Sequence, residues 1–222
     1  MKAGLFMSIG MILLIVVALL ILFGVLQRTL DRMALTDRQA LALSALLFAG
    51  GWLPDLTLGR VSLNIGGALI PLGVCVYLFF HAGTGKERVR CLFAALFTAA
   101  AVTGISMAFP SDPVAMPFDP LLLYGISGGA IAWLLGKSRR SAFIAGVLGL
   151  VLADVFSGLS VLMRGVDQPI RLGAAGAVDA IVISGVTAVM LCELAGEIME
   201  RLKTGKAAAP HEDGAVEGGA RA

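Results

Sequence analysis

The sequence predicts an all-α bundle of membrane-spanning helices, and three observations favour that class over a soluble domain. Of the 222 residues, 58% are hydrophobic and 14% are charged, whereas soluble domains carry about 25% charged residues. Apolar runs long enough to cross a bilayer recur along the chain. Basic residues are concentrated in alternate segments between those runs, as in the loops of multi-pass membrane proteins.

Seven apolar runs are predicted to span the membrane. The first follows Lys2, but its length of about 23 residues and the lack of a small-residue cleavage site indicate a retained helix rather than a signal peptide. The second contains Gly50, Gly51 and Pro54, so we expect it to end early, in an interfacial turn at Trp52. The predicted spans are Gly4–Leu26, Ala40–Leu58, Val61–Gly83, Cys91–Pro110, Pro120–Gly136, Ser141–Met163 and Ala174–Met199.

The distribution of basic residues predicts the orientation of this bundle. With the N-terminus outside, the cytoplasmic segments hold thirteen Lys and Arg residues and the outer segments hold four. We therefore expect an N-outside, C-inside protein of the bacterial inner membrane, with residues 1–199 forming the helix bundle in the lipid bilayer. Residues 200–222 are rich in Ala, Gly and charge without an apolar period, which predicts a disordered cytoplasmic tail.

Charge and cysteine content exclude several classes of function. The net charge of +2 is too small to indicate a nucleic-acid partner. The three cysteines lack CxxC or Cys/His spacing and lie in or beside apolar runs, so neither structural zinc nor a disulfide framework is expected. Two histidines cannot build a metal centre by themselves. We expect no metal and no cofactor.

Two acidic residues lie in the last two predicted spans, Asp154 in the first and Asp179 near the start of the second. A carboxylate at membrane depth costs roughly 2.5–3.5 kcal/mol on insertion scales, so such residues usually have a function. An antiparallel hairpin allows both acids to lie at similar depth, where one could activate a water while the other donates to a carbonyl oxygen. The alternative is that each acid is neutralised separately, by protonation or by a hydroxyl such as Ser157 or Ser184, and serves packing or insertion.

The third predicted span opens with a polar, glycine-rich motif, SLNIGGALIP at 62–71. Asn64 lies near the outer end of this span, on the side of the two acids, and its amide needs a partner within the bundle. Gly66 and Gly67 allow another backbone to approach closely, and Pro71 frees a carbonyl deeper in the helix. The motif forms either a kinked, close-packed helix crossing or the border of a substrate site.

Three short runs surround the two aspartates: DVF at 154–156, PIRL at 169–172 and GAVDAIVISG at 176–185. They resemble the catalytic hairpin of the signal-peptide-peptidase and presenilin group of intramembrane aspartyl proteases, with Ala153 and Val178 replacing a tyrosine and a glycine of that group. The resemblance implies that Asp154 and Asp179 are catalytic and that Gly176 gives a close backbone approach. The chain also resembles an uncharacterised family of bacterial multi-pass membrane proteins, which implies a fold but no activity.

These observations predict that the protein hydrolyses transmembrane peptides within the membrane by means of an aspartate pair. Asn64, Gly66, Gly67, Pro71 and Gly176 are expected to border the substrate. One alternative is a proton-coupled small-solute transporter, and another is a non-catalytic membrane assembly protein. A protease needs both carboxylates within reach of one water and a transporter needs an access path on each side, whereas an assembly protein needs neither.

Reporter fusions test the predicted orientation. Fusions after Arg88, after Arg139 and in the tail should all report the cytoplasm, because cytoplasmic loops retain basic residues. A fusion after Arg60 is the control and should report the outer side. A periplasmic signal after Arg139 would contradict the orientation and the predicted depth of both acids.

Overall fold

The computed structural model describes residues 37–81, 83–109, 120–176 and 179–207. This part of the chain is mostly helical, as predicted, but it also contains three short strands. The predicted first span Gly4–Leu26 and most of the predicted tail lie outside the described residues. The elements are α1 (Asp37–Gly51), β1 (Leu56–Leu58), β2 (Val61–Leu63), a π-helical turn (Ile65–Leu69), α2 (Ile70–Phe80), α3 (Gly85–Ala108), α4 (Pro120–Gly136), α5 (Arg139–Met163), β3 (Ile170–Leu172) and α6 (Ala180–Ala207).

Three of these helices are long and apolar enough to cross a membrane, namely α3, α5 and the 180–202 stretch of α6. Two shorter apolar helices accompany them, Ile65–Phe80 and Pro120–Gly136. These lengths fit a helical membrane protein. The count of seven spans and the orientation stay predictions.

Helix α5 is the centre of the bundle and contacts α2, α3, α4 and α6. Its side chains Ile144, Val147 and Leu150 are fully or almost fully buried. Small residues allow the neighbouring helices to approach closely. At Gly149 an added Cβ atom would lie only 2.7 Å from Thr98 of α3, so a side chain does not fit there. Such small-residue contacts are the usual way in which helices associate inside a bilayer.

The helix of the predicted second span ends early, at Gly51, as expected, whereas β2 corrects the prediction that the third span is helical from Val61. Strand β1 pairs antiparallel with β2, and β2 pairs parallel with β3, in the order β1-β2-β3. Helix α1 ends at Gly51 because Pro54 follows, and the residue before a proline is disfavoured in helical conformation. A turn at Gly59, whose φ is +62°, then reverses the chain between β1 and β2. We call the end of the bundle that carries these strands the sheet end.

The last helix also differs from its predicted bounds of Ala174–Met199. It begins at Ala180, because Gly173 and Gly176 have φ values of +71° and +64° in the preceding loop and cannot continue a right-handed helix. It continues to Ala207, eight residues into the predicted tail. An ion pair between Arg201 and Glu197, with 2.7 Å between nitrogen and oxygen, joins successive turns of this extension.

Five glycines form a close backbone contact at the sheet end, which we call the glycine junction: Gly51, Gly66, Gly67, Gly173 and Gly176. A Cβ atom on Gly66 would collide with the backbone of Gly51, and one on Gly67 would collide with the carbonyl groups of Gly173 and Gly176. The end of α1, the π-helical turn and the loop before α6 therefore pack through their main chains. No side chain fits between them.

The glycine junction predicts a large difference between two glycine substitutions. We expect Gly67→Ala to lower the free energy of unfolding by about 1–3 kcal/mol, because the new methyl group meets backbone atoms that cannot rotate away. Gly73→Ala in α2 is the matched control, since a Cβ atom there has no neighbour within 4 Å. We expect the control to raise stability by about 0.5–1 kcal/mol. Unfolding in mixed micelles measures both, and equal effects of the two substitutions would contradict the junction.

Candidate functional site

Asp179 lies at the start of α6 and its side chain is 5% exposed. Its Oδ1 accepts the main-chain N–H of Ile181 at 3.0 Å, and its Oδ2 accepts the main-chain N–H of Ala175 at 3.1 Å. The main-chain N–H of Asp179 in turn donates to the carbonyl of Gly176 at 3.0 Å. Asp179 is thus the N-cap of α6, where two N–H donors and the helix dipole stabilise a charge that burial disfavours.

Asp154 has a different environment, nine residues before the end of α5. It is half-buried and lines an open cavity of about 230 Å³ at the sheet end. Ser157, Gln168 and Arg171 contribute the other polar side chains of this wall. Within the described residues, no hydrogen bond and no ion pair engages the carboxylate of Asp154.

The two acids are neighbours, but they are not equivalent. Their helices α5 and α6 pack against each other. Asp154 faces the open cavity, whereas Asp179 does not line it and is bound on both oxygens by the main chain. The arrangement combines one fixed acid with one accessible acid.

Asn64 finds its partners within its own hairpin. It is buried, its Nδ2 donates to Asp55 Oδ1 at 2.9 Å, and its Oδ1 accepts the main-chain N–H of Gly67 at 2.9 Å. Ser62 donates to the other oxygen of Asp55 at 3.2 Å. The amide therefore holds the π-helical turn to β1, and Pro71 lies buried at the start of the following helix. The sequence analysis missed Asp55, because this carboxylate lies in the polar turn that interrupts the predicted second span.

The predicted glycines act through the main chain. Gly66, Gly67 and Gly176 all belong to the glycine junction, which fixes the loop from Gly173 to Gly176. The N–H of Ala175 in that loop is one of the two donors to Asp179. These glycines therefore position the fixed acid, and their part in substrate binding stays a prediction.

Gln168 and Arg171 were not predicted as site residues. Gln168 precedes β3 and Arg171 belongs to it, and this strand is too short to give a periodic signal. The PIRL run that contains Arg171 was the available signal, because it places a charged residue between the two acids along the chain. Within the described residues, no group of three His, Cys, Asp or Glu side chains is arranged to hold a metal ion.

Comparison with known proteins gives one match. Residues 56–191, more than half of the chain, match DUF1614, a family described as a protein of unknown function. The chain belongs to the DUF1614 family. The predicted likeness to an uncharacterised family is thereby confirmed. No curated protein and no solved structure matches the chain. The DUF1614 segment contains all three strands, both aspartates and every residue that lines the cavity.

The cap at α6 predicts distinct effects for two replacements of Asp179. Asp179→Ala should lower the free energy of unfolding by about 1–2 kcal/mol, because the N–H groups of Ala175 and Ile181 lose their acceptor. Asp179→Asn should cost less, because its amide oxygen still accepts the N–H of Ile181. Amide hydrogen exchange at Ile181 should accelerate in the alanine variant. Asp154→Asn is the control, and acceleration at Ile181 in this control would contradict the assignment of the cap.

Proposed function

We propose that this DUF1614 protein hydrolyses peptide bonds of transmembrane segments within the membrane, with Asp154 and Asp179 as its acid–base pair. The observation that carries the proposal is the unequal environment of two carboxylates on adjacent, packed helices. Acid pairs in hydrolytic sites have this property, because one member must be ionised while the other carries the proton.

The hydrogen bonds assign a role to each acid. Asp179 receives two N–H donors at a helix N-terminus, so it is the member that holds the negative charge and accepts a proton from the attacking water. Asp154 lacks such donors within the described residues and carries the proton, which it donates to the substrate carbonyl oxygen. The tetrahedral intermediate then collapses with cleavage of the C–N bond: the leaving amine takes the proton from Asp179, and a hydroxyl of the intermediate returns a proton to Asp154, so the pair again holds one proton and one charge. These steps require the attacking water to lie between Asp179 and the cavity that Asp154 lines.

Strand β3 supports a peptide as the substrate. In the described residues β3 is the last strand of its sheet, and it forms part of the cavity wall beside Asp154. Its N–H at Ile170 and its carbonyl at Leu172 bond toward β2, which leaves the main-chain groups of Arg171 directed to the opposite side. An extended peptide can add to such a strand, and hydrolysis needs the scissile segment to be extended rather than helical.

Conservative replacement of each acid tests the proposal. In proteoliposomes that contain single transmembrane peptides with the N-terminus on the cytoplasmic side, wild-type protein should release cleaved product. Asp154→Asn and Asp179→Asn should each reduce the rate at least about a hundredfold, because general acid–base catalysis contributes roughly 10²–10⁴-fold. Asp167→Asn is the matched control, since this exposed carboxylate at the sheet end pairs with Arg60 and lies outside the cavity wall. The control should cleave at the wild-type rate.

The same variants separate the two alternatives. A proton-coupled transporter would take up solute, would lose uptake in Asp154→Asn, and would release no peptide product in the wild type. An assembly protein would change in neither assay. Intact peptides with the wild-type protein, together with Asn variants that still support growth of the cell, would overturn hydrolysis by the pair.

A further inference from the structure

Several polar side chains at the sheet end outside the cavity are paired: Asn64 and Ser62 bind Asp55, and Arg60 binds Asp167 at 3.5 Å. Those in the cavity wall, Asp154, Ser157, Gln168 and Arg171, make no side-chain hydrogen bond or ion pair within the described residues. Ser157, Gln168 and Arg171 are exposed and Asp154 is half-buried, so all four are accessible to a polar ligand that enters this cavity.

Arg171 is the cation of this wall and is free to bind. Its neighbours in β3 are directed toward the core, because Leu172 is buried and Ile170 packs against α5 at Gly158. Arg171 itself is exposed, and no ion pair links it to Asp154 in the part of the chain that the structure describes. The turn before β2 carries another arginine, Arg60, but that residue pairs with Asp167.

We propose that Arg171 selects substrate segments that carry a carboxylate side chain, an inference that rests on the proposed function and names its substrate class. A guanidinium binds carboxylates through paired, charge-assisted hydrogen bonds. The proton assigned to Asp154 makes this selection possible, because a neutral acid in the same cavity does not repel the incoming carboxylate. The cavity of about 230 Å³ is smaller than the roughly 300–1,000 Å³ of sites for drug-sized ligands. It therefore suits individual side chains of an extended segment.

Reversal of one charge on each partner tests the selection. The probes are fluorogenic transmembrane peptides, each with Glu, Gln or Lys at one position. The substituted position is moved stepwise through the half of the peptide that lies at the sheet end of the protein. For at least one position, wild-type protein should cleave the Glu peptide about tenfold faster in kcat/KM than the Lys peptide, the effect of one charge-assisted hydrogen bond. Arg171→Glu should reverse the order, so that the Lys peptide becomes the better substrate. Arg60→Glu is the matched control and should keep the wild-type order.

A binding measurement separates this inference from the hydrolysis on which it rests. The affinity of the same peptides is measured with Asp179→Asn protein, with and without Arg171→Glu. This variant should not cleave the peptides, and its cavity wall is unchanged because Asp179 does not line the cavity. Cleavage by wild type that is indifferent to peptide charge at every position would overturn the selection and leave hydrolysis standing. If Glu peptides bind better to the protein with Arg171 and Lys peptides bind better to the Arg171→Glu protein, but wild type cleaves no peptide, the selection is supported and hydrolysis is overturned. Binding that ignores the charge in both proteins, without cleavage, would overturn both.

Discussion

The carboxylate of Asp179 holds the first turn of α6 to the loop that precedes this helix. One oxygen binds the first turn of α6 and the other binds the loop that crosses the glycine junction. That junction connects the loop with the end of α1 and with the π-helical turn before α2. The positions of α6, the loop and the turn are therefore coupled. A buried acid can be tolerated here because main-chain donors compensate the loss of water around both of its oxygens.

Helix α5 gives this arrangement its second acid and its rigidity. It contacts four other helices and buries large aliphatic side chains between Ile144 and Val151. Its packing is densest away from the sheet end, where glycine and alanine bring the helices together. Toward the sheet end its side chains become half-buried, and there Asp154 meets the cavity. A rigid helix can thus present one accessible acid beside a second acid whose geometry the backbone determines.

The sequence predicted which apolar runs of the described residues form helices better than it predicted where each helix begins and ends, because a sustained apolar run has few alternatives to a helix in a bilayer. The bounds of Pro120–Gly136 agree with α4, and those of Ser141–Met163 differ from α5 by two residues at one end. It failed at the three strands, because each has only three residues and the pairing of β2 with β3 depends on distant parts of the chain. Leu56–Leu58 and Val61–Leu63 are apolar enough to pass for the ends of helices.

The candidate site was predictable only in part for a related reason. An acid inside an apolar run stands out, so Asp154 and Asp179 could be singled out without any structure. Asn64 was recognised as needing a partner, but Asp55 could not be chosen from sequence because the hairpin that brings it within 2.9 Å was not foreseen. Gln168 and Arg171 join the cavity through β3, so their placement depends on the same unforeseen sheet.

The parallel pairing of β2 with β3 has a consequence for biosynthesis. The paired residues are more than a hundred positions apart, and α2, α3, α4 and α5 are all synthesised between them. These four helices therefore leave the ribosome before β2 acquires its parallel neighbour, and α6 follows later still. The cavity wall, the glycine junction and the cap on Asp179 are completed together at that last stage. A partly synthesised chain therefore cannot hold Asp154 and Asp179 in their final geometry, which forms only once α6 has been made.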